Sequence, residues 1–223
     1  MSVVGQDILA GLTTASPLDQ ANFILGVAGV WLMIRRSLIA FPVGLVSVAV
    51  QGVLFYRTRY YADATLQVFF FAALAYGWWH WARGRSGTKE LPVTRLGGRG
   101  IFITILAAGL GTMAWALVAR KYTDSIMPFR DAFIAAFSVA AQVLQSRKQI
   151  DNWPFWLVVN TVAVVSYWLG GLYYTAFLYG IYLLMAVGGW RAWRRAMNAP
   201  GAEGGAAPAG GLEGGRVASP GRP

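Results

Sequence analysis

In the stretch DNWPFWLVVN, Trp153, Trp156 and Asn160 fall at i, i+3 and i+7, so they share one face if the segment is helical. An indole offers a flat stacking surface and one N–H donor, and a carboxamide offers both a donor and an acceptor. The preceding segment carries Ser138, Gln142 and Gln145 at i, i+4 and i+7, a second polar stripe. Tyr179 and Tyr182 pair at i, i+3 further on, while Gln67 and Gln51 place amides in earlier apolar runs. Neutral amides, hydroxyls and aromatic faces suit a planar ring that bears an amide and a polyol, which stacks on its face and hydrogen-bonds at its edge. Any one stripe alone reads equally well as glue between helices or as an interfacial aromatic belt. Their convergence favours a binding site.

The same residues do not suit bond-breaking chemistry. Asp19, Asp63, Asp131 and Asp151 fall near helix starts, the single histidine, His80, lies near the end of its run, and cysteine is absent. Metal-ligand clusters, phosphate-cradling glycine loops and Ser/His/Asp triads are missing, and the last apolar run has no lysine for a retinal Schiff base. The sequence therefore predicts no enzyme, no cofactor, no metal site and no proton relay.

The elements that hold these residues are membrane spans. Of 223 residues 57% are hydrophobic and 13% charged, a membrane composition. The net charge of +10 comes from clusters between apolar runs, which marks cytoplasmic loops and argues against a nucleic-acid partner. Runs able to cross about 30 Å of hydrocarbon fall near 19–34, 38–56, 62–82, 101–119, 129–146, 153–169 and 172–190, seven spans in all. Asp151 or Asn152 is placed to cap the sixth, with Pro154 in its first turn. Arg35–Arg36, Arg83 to Arg99, Arg147–Lys148 and Arg191, Arg194 and Arg195 follow alternate spans, so the N-terminus is predicted outside and the C-terminus in the cytoplasm. MSVVGQDILAGLTTAS lacks a basic n-region and reads as no cleaved leader.

A shift of 112 residues superposes 19–81 on 131–193 with sixteen identities in 63 positions, where chance gives about four or five. Matches include Arg35 with Arg147, Pro42 with Pro154, Gly77 with Gly189 and Trp81 with Trp193. The predicted fold is an all-α membrane protein: two parallel three-helix repeats joined by one helix, a 3+1+3 plan that holds substrate where the halves meet. The expected organisation is an outer segment over 1–18, repeat 1 over 19–82, a basic cytoplasmic loop over 83–100, a linker helix over 101–121, repeat 2 over 127–195 and a disordered cytoplasmic tail over 198–223.

RKQIDNWPFWLVVN, with AAQVLQSRK before it and LYYTAFLYGIYLLMAVGGWRAW after it, resembles the PnuC family of bacterial vitamin transporters. VWLMIRRSLIAFPVGLVSV, LFYRTRYYADATLQVFFF and YGWWHW resemble that family's amino-terminal half, so the likeness covers about residues 18–195. The resemblance implies a SWEET-like plan and facilitated diffusion of nicotinamide riboside, a vitamin B3 precursor for NAD, across the inner membrane, with trapping by a cytoplasmic riboside kinase. It implies that Trp153, Trp156 and Asn160 match the family's sixth-span motif, Gln142 its fifth-span amide and Gln67 its third-span LQ-x-F position. Phe41 stands where the first repeat commonly has Trp, and Gln51 where an apolar or aromatic residue is usual. Thiamine, riboflavin or a deoxynucleoside stays open as the substrate. So do a non-transporting membrane assembly protein and a homo-oligomer.

Overall fold

Eight α-helices and no strand make up the described part of the computed structural model, residues 3–13, 16–57, 59, 61–85, 90–122 and 127–199. They are α1 (Val3–Thr13), α2 (Pro17–Ile34), α3 (Ala40–Arg57), α4 (Tyr61–Arg83), α5 (Gly98–Tyr122), α6 (Pro128–Ser146), α7 (Asn152–Leu169) and α8 (Tyr173–Met197). Each expected span falls on one of α2 to α8. The additional helix α1 forms within the N-terminal segment and packs on α8; at 11 residues it is too short to span. The tail expected over 198–223 lies, from residue 200 onward, outside the described residues.

By length and apolar composition, α2, α3 and α5 are each able to cross a membrane unaided. The other four long helices are diluted by the residues that make them interesting: Asp63 and Gln67 on α4, Arg130, Asp131, Gln142 and Gln145 on α6, Asn152 and Asn160 on α7, three arginines on α8. Large apolar side chains cover the outside instead, among them Ile24 at 64% exposure, Leu110 at 63% and Leu184 at 74%. A surface of that kind calls for lipid.

Helix starts follow local chemistry. Ser16 Oγ accepts from Asp19 N–H at 3.2 Å and Pro17 occupies the first turn of α2. The expected cap on α7 does not form: Asp151 makes no cap bond, because its carboxylate accepts from Leu96 N–H at 2.7 Å, and Asn152 Nδ2 donates back to Gln149 O at 2.5 Å.

The repeat is visible in the backbone. After α2, Arg35 N donates to Trp31 O, Arg36 N to Met33 O and Ser37 N to Leu32 O; after α6, Arg147, Lys148 and Gln149 donate to Val143, Gln145 and Leu144, the same bonds 112 residues later. Arg36 (φ 56°) and Lys148 (φ 58°) share the left-handed conformation that closes each turn. Packing follows the same symmetry: α2–α3–α4 and α6–α7–α8 are sequential neighbours, α4 packs on α6 and α8 packs on α2. Six helices thus close a ring, with α5 outside against α6.

Matched aromatic residues lock the ring at one end. Trp81 Nε1 donates to Ser146 O (3.0 Å) and Trp193 Nε1 to Met33 O (3.1 Å), each tying the last helix of one repeat to the first helix of the other. The segment after α4 adds a strap. Thr94 N donates to Lys148 O and Ile150 N to Thr94 O. Glu90 sits between the two equivalent turn residues, 3.4 Å from Arg36 Nε and 3.6 Å from Lys148 Nζ. Lys148 is 2% exposed and its ammonium lies 4.4 Å over Trp81.

Burial pushes the Lys148 ammonium down to about 8, with Glu90 opposing and Arg36 and Arg85 adding to the fall. The unfolded chain keeps that proton up to about 10.4. Between the two values the unfolded state binds more protons, so stability rises with pH there, while the Glu90–Lys148 pair holds below about 8 and is lost above it. The melting temperature of the solubilised protein, measured relative to Lys148→Met, should climb as pH rises from about 7.5 to about 9.5. A flat difference would mean that Lys148 titrates normally.

Candidate substrate site

Half-way along α7, Asn160 is buried to 5% exposure, and its side chain makes no hydrogen bond among the described residues. An amide left without a protein partner is free to pair with a polar guest. One turn away, Trp156 is half-buried and its Nε1 donates to Gln145 Oε1 at 2.9 Å, which fixes the indole plane beside Asn160. Gln142, 7% exposed, reaches Ser146 Oγ only at 3.4 Å, while Ser146 Oγ donates to Ala73 O of α4 at 2.8 Å. The Trp156–Gln145 bond joins the α6 and α7 stripes, and Asn160 and Gln142 each stand about one turn from it along their own helices.

A second group joins α2, α3 and α8. Asn22 Nδ2 donates to Gln51 Oε1, and Ser47 Oγ donates to Asn22 Oδ1 at 3.1 Å. The Tyr182 hydroxyl lies against Gly26, where a Cβ would sit 2.4 Å from the oxygen and 3.9 Å from Ser47 Oγ. Only glycine lets α8 bring that hydroxyl so close to α2. Tyr179 packs edge-on to Tyr182 (6.2 Å) and stacks on Tyr167 of α7 (5.3 Å). Gln67 rests on Gly52 of α3, its Cβ 3.4 Å from where a glycine Cβ would be.

Trp153 belongs to neither group. It is 2% exposed, its ring fills the notch at Gly189, and it meets Trp193 edge-on at 5.5 Å; its Nε1 is buried without a partner among the described residues. Phe41 does the same at Gly77 in repeat 1. The repeated GW-x-x-W motifs are thereby explained as packing: the glycine receives an aromatic ring and the second tryptophan ties to the other repeat.

Sequence reasoning missed Asn22 and Ser47, although an amide inside ANFILGVAGV was a visible signal. It also missed Tyr167, which links α7 to the α8 tyrosines.

A closed ring of helices with an apolar exterior and uncharged polar groups inside defines a multi-pass membrane protein built to pass a small polar solute. The nicotinamide mononucleotide transporter family model matches residues 16–195. The chain is 29% identical over 209 residues to the nicotinamide riboside transporter PnuC of Escherichia coli (strain K12), covering 82% of this chain and 87% of that one. It is 32% identical over 180 residues to the riboflavin/roseoflavin transporter RibM of Streptomyces davaonensis, covering 78% and 83%. A crystal structure of the vitamin B3 transporter PnuC superposes with a TM-score of 0.69 at 19% identity, over 87% of this chain and 88% of that one, which shows the shared fold. The chain belongs to the nicotinamide mononucleotide transporter family, and it is a bacterial multi-pass membrane transporter.

Proposed function

We propose that the protein carries nicotinamide riboside into the cytoplasm by facilitated diffusion, with a cytoplasmic kinase trapping the product. In this reading the chain contributes binding and passage but no catalysis. The observation that carries it is the Asn160 amide, without a hydrogen bond among the described residues, beside the oriented face of Trp156. An amide-bearing aromatic ring satisfies both at once: it stacks on the indole while its carboxamide pairs with that of Asn160. Gln142, Gln67, Gln51, Tyr179 and Tyr182 complete the site, and Trp153 backs it from the aromatic core. The identity to the riboflavin relative favours a flavin as the second reading. Calorimetric titration of the purified protein with both vitamins decides between them: the riboside binds and riboflavin does not, whereas the reverse result assigns the site to flavins.

The arrangement proposed in the membrane is 3+1+3, with α2–α4 and α6–α8 as parallel repeats, α5 as the linker, and Arg35–Arg36 and Arg147–Lys148 on one cytoplasmic side. The placing of basic residues supports it. Reporter fusions at Arg95 and Gly215 should both report cytoplasm. A signal from the opposite side at either would contradict the orientation.

A further inference from the structure

The two repeats share a backbone but not their polar residues. Asn22, Ser47 and Gln51 of repeat 1 correspond, 112 residues on, to Ile134, Val159 and Ala163. Trp156, Asn160 and Gln142 of repeat 2 correspond to Gly44, Val48 and Val30. At these six positions, where one half is polar the other is apolar. In the ring α3 and α7 occupy equivalent places, neither packed on the other, so they stand on opposite sides. Ser47 is the equivalent of Val159, the residue next to Asn160, and the two polar groups therefore lie at one depth across the ring.

We propose that the substrate lies across the ring in one orientation, its planar amide end at Trp156 and Asn160 of repeat 2 and its hydroxylated sugar end at a subsite formed by Asn22, Ser47 and Gln51 of repeat 1. The proposal rests on the transport reading above and adds the residues that recognise the second half of the ligand.

The hydrogen bonds show what this subsite has to offer. Asn22 spends its amide on its neighbours, donating to Gln51 Oε1 and accepting from Ser47 Oγ. It is a positioning residue. Because the Gln51 carbonyl is engaged, its Nε2 keeps two donors directed away from Asn22; because the Ser47 hydroxyl hydrogen is engaged, its oxygen keeps its lone pairs. Two donors beside an acceptor match a vicinal pair of hydroxyls, each of which both gives and takes a hydrogen bond. The Tyr182 hydroxyl, held at Gly26 on the same side, adds a third hydroxyl-sized partner. Interhelical glue would need Asn22 and one partner only; here a third polar side chain is recruited and left half-used.

The test is equilibrium binding of nicotinamide riboside and of its 2′,3′-dideoxy analogue to the unaltered protein, Ser47→Ala, Gln51→Leu and Asn160→Ala, each first shown by its melting curve to be folded. The unaltered protein should prefer the riboside by about tenfold or more, since a site built to hydrogen-bond a hydroxyl rejects the analogue that lacks it. Ser47→Ala and Gln51→Leu should weaken the riboside by about tenfold and leave the analogue unchanged, while Asn160→Ala weakens both alike. Ser47→Ala removes a single oxygen and keeps the proposal testable if Gln51→Leu fails to fold. Equal loss for both ligands in the Ser47 and Gln51 variants, or no loss for either, would overturn the sugar subsite while leaving the transport reading intact. An unaltered protein that binds neither ligand overturns that reading, and the subsite with it.

Discussion

Asn160→Ala is expected to weaken nicotinamide riboside binding by about 1–3 kcal/mol, which is about fivefold to 150-fold, without lowering the melting temperature. The amide has no partner among the described residues, so its loss costs the folded protein nothing in hydrogen bonding; it costs the complex a donor and an acceptor in a buried setting. Trp156→Ala should lose as much, because the stacking face goes and Gln145 Oε1 is released from the 2.9 Å bond that orders it. Trp156→Phe separates the two effects: a face remains, the tie to Gln145 does not, and an intermediate loss is expected. Trp153→Phe is the contrast, since the indole N–H it removes is unpaired and a phenyl ring already fills the equivalent notch in repeat 1. It should change affinity by less than about twofold. Calorimetry on the four variants checks the series, and a loss at Trp153→Phe matching that at Asn160→Ala would move the buried indole N–H into the site.

The second large effect concerns stability. Gly189→Ala would place a Cβ 2.3 Å from the Trp153 ring, which also meets Trp193 edge-on at 5.5 Å. A buried indole has nowhere to retreat, so the ring must leave its rotamer or α7 must move away from α8. Overpacking of this kind costs about 1–3 kcal/mol. Gly188→Ala, one residue earlier, meets nothing within 4 Å and should be harmless. The melting temperatures of the two variants in detergent, side by side, test the assignment of the motif to packing. Equal tolerance at both positions would return Trp153 and Gly189 to the list of residues that need another explanation.

How much of this was legible in the sequence depended on what each residue's signal was made of. Helix positions followed from apolar length and from proline and basic punctuation, which act locally, so α2 to α7 lie within a few residues of the expected spans, while α8 runs on seven residues past the expected 190 to Met197. The repeat was legible because its matched residues serve the same turn bonds twice, down to the left-handed Arg36 and Lys148. The role of Trp153 was not. Spacing puts it on the face of Trp156 and Asn160, yet its contact with Gly189 lies 36 residues away in the chain, and periodicity along one helix carries no information about the neighbouring helix. The cap at Asp151 failed for a similar reason: Leu96, from the strap, competes for the same carboxylate. Asn22 and Ser47 were overlooked because each stands alone in an apolar run and acquires meaning only when α2 and α3 are set side by side.

The central claim, uptake without coupling to an ion gradient, is tested most directly by labelled nicotinamide riboside entering proteoliposomes under an imposed proton or sodium gradient, with and without riboside kinase and ATP inside. A coupled pump needs a site whose ion occupancy differs between its two faces. Of the carboxylates on the ring helices, Asp19, Asp63 and Asp131 all lie in first turns, and Asp63 is itself exposed. The account predicts that internal label rises only to the external concentration whatever the gradient, and exceeds it only when the kinase is enclosed. Accumulation driven by the gradient alone, and abolished by Asp63→Asn, would contradict it and make that carboxylate the coupling site.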